Sequence, residues 1–334
     1  MLYGPGEFRV EDDWPEPAVK PGWALVRVAY AGICGSDLPR FTTTGSYHHP
    51  MILGHEFSGI VETPAPGSDA YAAGERVAVL PIIPCETCGG CATGGPFHCE
   101  NYQFLGSRND GGFAQYCLVP ERNLFRLPEA ASQLAGAFLE PMAVGLHVLR
   151  RAQLQAGQSA LVFGAGPIGL MVGFWLQAFG ARPVVVADLR AESLALAKDL
   201  GFGEALDPRG DAFAALPPFD AVFEAAGARA ALLNAIDMAR DLGVLAVVGR
   251  DTADTVIPLG HFERLMRKEL TVRGCWGYDV AGDREFLAQT LERPPWPVER
   301  LVTHTVSLDE APDMIRRMAA GLEYYCKVMI DPWG

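Results

Sequence analysis

Four of the chain's eight cysteines crowd into PCETCGGCATGGPFHC, residues 84–99. Cys85, Cys88, Cys91 and Cys99 follow the spacing C-x2-C-x2-C-x7-C, which suits a metal better than a set of cystines. Four thiolates complete a tetrahedral zinc shell and leave no position for a substrate, so the loop reads as a clamp and not as a catalyst. An iron–sulfur cluster uses related spacings, but nothing in the chain signals a flavin to go with it, and zinc is the leading reading. Scattered core thiols are the weaker alternative, because a glycine-rich loop offers no apolar surface to bury them.

A sparser set could do chemistry. Cys34 in AGICGSD, with His55 and Glu56 in LGHEFSG, offers a thiolate, an imidazole and a carboxylate. Such a mixed set can hold zinc with a position left open. Spacing alone only suggests this, since a lone cysteine is more often a small buried apolar group. Adjacent residues on a strand face opposite ways, so a turn must bring His55 and Glu56 to one ion. A third feature is LVFGAGPIG, where Gly164, Gly166 and Gly169 bracket Pro167 and Ile168 in the G-x-G-x-x-G spacing. The first glycine permits the tight turn, the second lets a pyrophosphate approach the backbone, and the third lets helix and strand pack closely. The helix N-terminus supplies free N–H groups to the phosphate. VVVADL then ends on Asp188, a carboxylate placed to accept from a ribose diol and to repel a 2'-phosphate, which favours NAD; Arg190 nearby tempers that preference. Tight turns in a non-binding α/β domain are the alternative.

The elements that must position these residues differ along the chain. Up to about residue 140 the sequence is rich in Gly and Pro, with short apolar strands such as ALVRVAY (24–30) and ERVAVL (75–80). A helical pattern starts near residue 146, and SALVFGAG, PVVVADL, FDAVFEAAG, VLAVVG and LTVRGCW then alternate with helical stretches. Repeated βα units predict a parallel sheet covered on both faces. From about residue 278 the pattern is lost; VERLVTHTVS and YCKVMI read as strands flanking a helix that starts near Ser307, Asp309 and Glu310. Periodicity does not assign this tail to either domain. The 334 residues suggest two domains. Forty acidic against 27 basic residues give a net charge of -13, and with no Lys/Arg block nucleic acid is not an expected partner. The chain has no apolar run long enough to span a bilayer and no basic-then-apolar leader, so a cytoplasmic protein without a membrane partner is expected.

The motifs CGSDLPR, GHEFSG, the four-thiol lobe, GSRNDGGFAQY, AFLEPMAVGLH and GAGPIG occur in the order seen in zinc-dependent medium-chain alcohol and polyol dehydrogenases. The whole chain resembles that superfamily, and CGSDLPR, GSRNDGGFA and RKELTVRG are most similar to its galactitol-1-phosphate and sorbitol dehydrogenase-like branch. The resemblance implies an α/β protein: a GroES-like, mostly β catalytic domain (1–142, with its structural zinc lobe at 84–100) interrupted by a doubly wound Rossmann NAD-binding domain (143–277). Residues 278–334 would return to the catalytic domain. It implies two zinc ions per subunit, one structural on Cys85, Cys88, Cys91 and Cys99, one catalytic on Cys34 and His55. Glu140 would be the third protein ligand or the carboxylate holding a ligated water, and Glu56 would complete the shell or stand just behind it. Ser36 would take the substrate proton, its bland alternative being a turn hydroxyl. Many members continue the relay with a histidine where this chain has Pro39. Asp37 would brace His55 or the loop, and Lys327 would salt-bridge near the cleft or snorkel. Arg40, His48, His49 and Arg108 are candidates for a substrate phosphate or extra hydroxyls, while Trp276 and Trp296 read as packing residues. The implied reaction moves hydride between a secondary alcohol of a polyol or polyol phosphate and NAD+, giving a ketose or ketose phosphate. A cyclic polyol or aminocyclitol is the alternative substrate, and a zinc-stabilised nucleotide-binding scaffold the non-enzymatic one. The strand in RKELTVRGCWGY pairs across a two-fold axis in relatives, so a homodimer is expected, with a homotetramer as the alternative.

Overall fold

The computed structural model describes residues 1–251, 254–292 and 297–334, and it divides into two compact units. The first comprises Met1–Glu140 with Asp279–Gly334, the second Pro141–Tyr278. Among the described residues no helix is long and apolar enough to cross a membrane.

The first unit is built on a seven-stranded sheet. Its spatial order is Val302–Ser307, Lys327–Asp331, Trp23–Ile33, Glu56–Thr63, Arg76–Val79 and Leu124–Arg126, with Tyr116–Pro120 also pairing to Trp23–Ile33. The first pair is parallel and the others antiparallel. WALVRVAYAGI makes the long central strand because its β-branched and aromatic residues suit a pleated, largely buried surface. Val26, Val28, Phe57, Val61, Val77 and Val119 fill one core. A second core joins Leu2, Ile33, Met51 and Leu53 to Met314, Ile315 and Met318 of the helix Ala311–Ala319, and to Val328 and Ile330. That helix places Ala311, Met314, Ile315 and Met318 on one stripe, the i, i+3, i+4, i+7 pattern of a core-facing helix. Burying each large apolar side chain contributes about 1.5–3 kcal/mol, which ties the tail to the N-terminal strands. The helix begins later than its sequence signal: Ser307 and Glu310 exchange hydrogen bonds as in a capping box, and helical residues start at Ala311.

The second unit is a six-stranded sheet, parallel throughout. From Ala160–Phe163 the chain steps outward to Val184–Ala187 and Glu204–Leu206, then returns to the other side for Phe219–Glu224, Ala239–Val247 and Thr271–Gly274. ALVF and VVVA are buried along their whole length, as strands covered on both faces must be. The reversal of direction falls between Ala160–Phe163 and Phe219–Glu224, the kind of switch point where doubly wound sheets bind ligands. The helix read as starting near residue 146 runs from Leu139 to Ala152. Pro141 does not stop it, because a proline in the first turn replaces an N–H that would have no intrahelical partner.

Candidate active site

Cys34 follows directly on the central strand Trp23–Ile33, and Glu56 opens the neighbouring strand Glu56–Thr63 just after His55. Gly54, at φ +95°, makes the turn that delivers His55, and a Cβ there would strike the Phe113 ring. The result is that Cys34, His55 and Glu56 each offer a donor atom within 4.8 Å of the others. His55 and Glu56 are buried and Cys34 partly so. Glu140, at the start of Leu139–Ala152, is buried but lies outside that donor group. It still shares the field of the cluster: burial pushes its carboxyl up to about 7, Glu56 and Asp37 push the same way, and His55 and Lys327 oppose them.

Partners fix each member. Asp37 is fully buried, its Oδ2 accepts from the Cys34 N–H at 3.1 Å, and its Oδ1 faces His55 Nδ1 at 3.4 Å. That contact is ionic and a little long for a hydrogen bond, and it leaves the other ring nitrogen to the donor group. Burial alone would lower the His55 pKa; Asp37 and Cys34 outweigh it and hold the imidazole well above its ordinary value. The Ser36 hydroxyl and N–H both donate to Cys34 Sγ, at 3.3 and 3.5 Å. Lys327 Nζ, from the closing strand, donates to Glu56 Oε2 at 2.5 Å and to the Ile33 carbonyl at 3.3 Å. Of the two readings for Lys327, the salt bridge is the one found, fully buried.

One thiolate, one imidazole and one carboxylate are donors that zinc accepts, and three of them leave a tetrahedral position free. The thiol lobe is different. Its sulfurs lie 3.4 Å (Cys99–Cys85), 3.6 Å (Cys88–Cys91) and 3.9 Å (Cys85–Cys91) apart. A tetrahedron of thiolates about 2.3 Å from zinc has edges of about 3.8 Å, so the four side chains fit a structural zinc site. The N–H and hydroxyl of Thr87 pull the Cys85 thiol down to about 6, while burial and neighbouring thiols push Cys91 up to about 12.

In the second unit, Gly164 sits at φ +100° with its missing side chain aimed at Ala225 and Ala226. A Cβ on Gly169 would collide with the Gly164 carbonyl, whereas one on Gly166 would meet only open space. The middle glycine therefore faces a vacancy next to the N-terminus of the helix Pro167–Ala178, which begins with Pro167 and Ile168. Asp188 stands just past Val184–Ala187; its Oδ2 accepts from Ala165 N–H and its Oδ1 from Arg190 N–H, both at 2.8 Å. Each oxygen keeps a lone pair for a further donor.

Other sequence candidates are scattered. Trp276 is 61 % exposed, which removes the packing role expected for it within this chain, and Trp296 lies outside the described residues. Arg40, His48 and Arg108 gather around Tyr47, whose role nothing in the sequence pattern flagged. A cavity of about 440 Å³ bordered by Phe8, Trp14, Trp23, Phe113 and Ile315 has none of Cys34, His55, Glu56 or Glu140 in its walls.

Comparison with known proteins agrees with this layout. Residues 20–129 match the alcohol dehydrogenase GroES-like domain, and residues 167–293 match the zinc-binding dehydrogenase domain. Galactitol 1-phosphate 5-dehydrogenase of Escherichia coli K12 is 35 % identical over 308 residues, 88 % of each chain. The crystal structure of galactitol-1-phosphate dehydrogenase from Escherichia coli superposes with a TM-score of 0.91 at 33 % identity, covering 99 % of both chains. Sorbitol dehydrogenase of Bacillus subtilis is 32 % identical over 346 residues, 99 % of this chain and 96 % of its own. A zinc-binding dehydrogenase from Sinorhizobium meliloti, solved bound to NADP, has a TM-score of 0.90 at 30 % identity over 98 % of this chain and 96 % of its own. With two family domains in sequence and relatives this close over nearly its whole length, the chain belongs to the zinc-dependent medium-chain alcohol and polyol dehydrogenases, oxidoreductases that combine a GroES-like domain with a Rossmann-like parallel sheet.

Proposed function

We propose that the protein oxidises a secondary alcohol of a polyol or polyol phosphate with NAD+, forming the ketose or ketose phosphate. The observation that carries this reading is the convergence of Cys34, His55 and Glu56 on one point, in a chain of this family. The first unit would act as the catalytic domain and the second as the dinucleotide domain. Cys34 and His55 would hold a zinc ion, with Glu140 or Glu56 as the further ligand; Cys85, Cys88, Cys91 and Cys99 would hold another. Bound at the first site, zinc would act as a Lewis acid that lowers the pKa of the substrate hydroxyl. The chain's own groups prepare that site. Asp37 fixes the tautomer and tilt of His55. The Ser36 hydroxyl, on Cys34 Sγ, withdraws charge from the thiolate and is placed to pass on the proton the alcohol loses. Lys327 balances Glu56, so a second carboxylate can stand beside the donors without unpaired charge.

NAD is favoured over NADP because the Asp188 carboxylate would repel a 2'-phosphate, and the NADP-bound Sinorhizobium meliloti relative makes that preference a direct test. Among the described residues the edge strand Thr271–Gly274 has no partner on its outer side, and Val272 and nearby Trp276 are exposed, which supports a homodimer. The C-x2-C spacing of the thiol lobe, which suits a metal better than cystines, supports a reducing, cytoplasmic setting. The test is NADH formation, followed by absorbance, with sorbitol, galactitol, their phosphates, inositols and aminocyclitols, alongside bound-metal analysis. Turnover with an acyclic polyol, lost in Cys34→Ser and His55→Ala, is expected. Reduction of no dinucleotide by any polyol would overturn the reading.

A further inference from the structure

Arg108 is held between two tyrosines: its guanidinium carbon lies 3.9 Å from the Tyr47 ring centre and 4.4 Å from that of Tyr102. Arg40 approaches the same Tyr47 ring at 5.6 Å, so two guanidinium groups share one aromatic face or its edge. Arg108 Nε is buried and has no hydrogen-bond partner. Neither arginine has a carboxylate partner among the described residues. Two neighbouring cations without counter-charge, in a chain of net charge -13, are an unusual concentration of positive potential. His48 Nε2 lies 3.2 Å from the Arg108 carbonyl and borders the same spot. Stacking between rings fixes a guanidinium plane in advance, and a plane fixed in this way presents its N–H fork to a phosphate bidentately.

The cluster is connected to the donor group through intervening residues on two sides. Arg40 begins the π-helical turn Arg40–Thr44 that continues the short helix Asp37–Pro39, whose first residue faces His55. From the other side, the rings of Tyr102, Phe97, Phe104 and His55 follow one another at 6.4, 6.1 and 5.6 Å. The geometry points to a subsite, formed by Arg108 and Arg40 around Tyr47, that binds the terminal phosphate of a phosphorylated acyclic polyol while Cys34 and His55 face its reacting hydroxyl. This rests on the polyol dehydrogenase reading and narrows its substrate class to polyol phosphates. Arg108 and Arg40 are substrate-positioning residues in this arrangement and take no part in the chemical step.

The zinc-loaded protein tests it with a hexitol 1-phosphate, the matching free hexitol and the matching aldonate, each with NAD+. The phosphorylated substrate is expected to have the highest kcat/KM, and inorganic phosphate to compete with it. Arg108→Gln and, separately, Arg40→Gln should shrink the ratio of kcat/KM between phosphorylated and free hexitol by about 10- to 100-fold, mostly through KM, the range a charge-assisted hydrogen bond implies. Loss of phosphate inhibition should accompany this, and neither readout would move if Arg108 only braced the loop. If one variant fails to fold, as seen by thermal melting, the other carries the measurement. Preference for the free hexitol with no inhibition by phosphate would overturn the subsite and leave the polyol reading standing. Preference for the aldonate would overturn the phosphate assignment in favour of a carboxylate. If no polyol is turned over, the broader reading fails; titration of inorganic phosphate into wild type and Arg108→Gln by calorimetry still decides the subsite, equal or absent binding being the adverse result.

Discussion

At the scale of residues, the site is an arrangement of buried charges that balance one another. Lys327 and Glu56 are 2 % and 1 % exposed, and they meet at 2.5 Å. Removing one member of such a pair leaves the other unpaired in low dielectric, so Lys327→Met should destabilise the protein by about 3–5 kcal/mol in chemical denaturation. Pairing it with Glu56→Gln should recover much of that loss, and additive losses would show that the two side chains do not act as a couple. Asp37→Asn keeps the volume but weakens the hold on His55, and a fall of about 10- to 100-fold in zinc affinity or turnover is expected from metal titration and initial rates. The donors themselves were legible in the sequence, because Cys34 lies in one short motif and His55 with Glu56 in another, both matching a known family pattern. For Lys327 a salt bridge was one of two readings, but Glu56 as its partner was not legible, since the two are 271 positions apart and no local pattern encodes such a meeting. Tyr47 and Tyr102 were likewise invisible: an arginine between two rings leaves no periodic trace.

At the scale of elements, most strands of the second unit could be read because each carries a short apolar run, as in ALVF and VVVA, whereas the three-residue Glu204–Leu206 could not, since it opens on a charge and is too short to show a pattern. The start of the helix Leu139–Ala152 could not, because Pro141 looks like a breaker until its place in the first turn is known. Side chains also pin the ends of strands. Asp220, near the start of Phe219–Glu224, accepts from the N–H and hydroxyl of Ser159 at 2.8 and 2.6 Å and pairs with Arg240 at 2.8 Å. Burial would raise its pKa, but Ser159 and Arg240 outweigh that and hold it below the ordinary carboxylate value. A depressed native pKa stabilises above the unfolded value and ceases to do so as pH falls through the native one. Asp220→Asn should therefore cost about 1–2 kcal/mol at neutral pH, with the gap to wild type closing in acid, as followed by denaturant melts across pH. In the lobe, the helix Gly89–Gly94 is a single turn or so and too short to persist alone. Cys99→Ser should remove about one zinc per chain in metal analysis while the ion proposed at Cys34 and His55 stays bound; loss of both would show that the sites are not independent.

At the scale of the whole molecule, the last 56 positions could be placed only through family resemblance, because sheet adjacency is not written in periodicity. The exposed apolar groups of the second unit are more local: Val272 is 48 % and Trp276 61 % exposed at the outer edge, and Leu259 and Phe262 are 72 % and 47 % exposed on the helix Leu259–Arg267. Lysine on an edge strand discourages pairing with another chain. Val272→Lys combined with Trp276→Glu should split the proposed homodimer into monomers in light scattering, and an unchanged mass would exclude this edge as the interface. The strand Lys327–Asp331 lies between Val302–Ser307 and Trp23–Ile33, and that order has a consequence for biosynthesis. Translation delivers residue 327 only after residues 141–278 have left the ribosome, so the nascent first unit waits through all of that time with Glu56 uncompensated and the Ala31–Ile33 end of its central strand without its later partner. A pause in elongation before that point would leave a species with exposed pairing groups, the kind that chaperones engage.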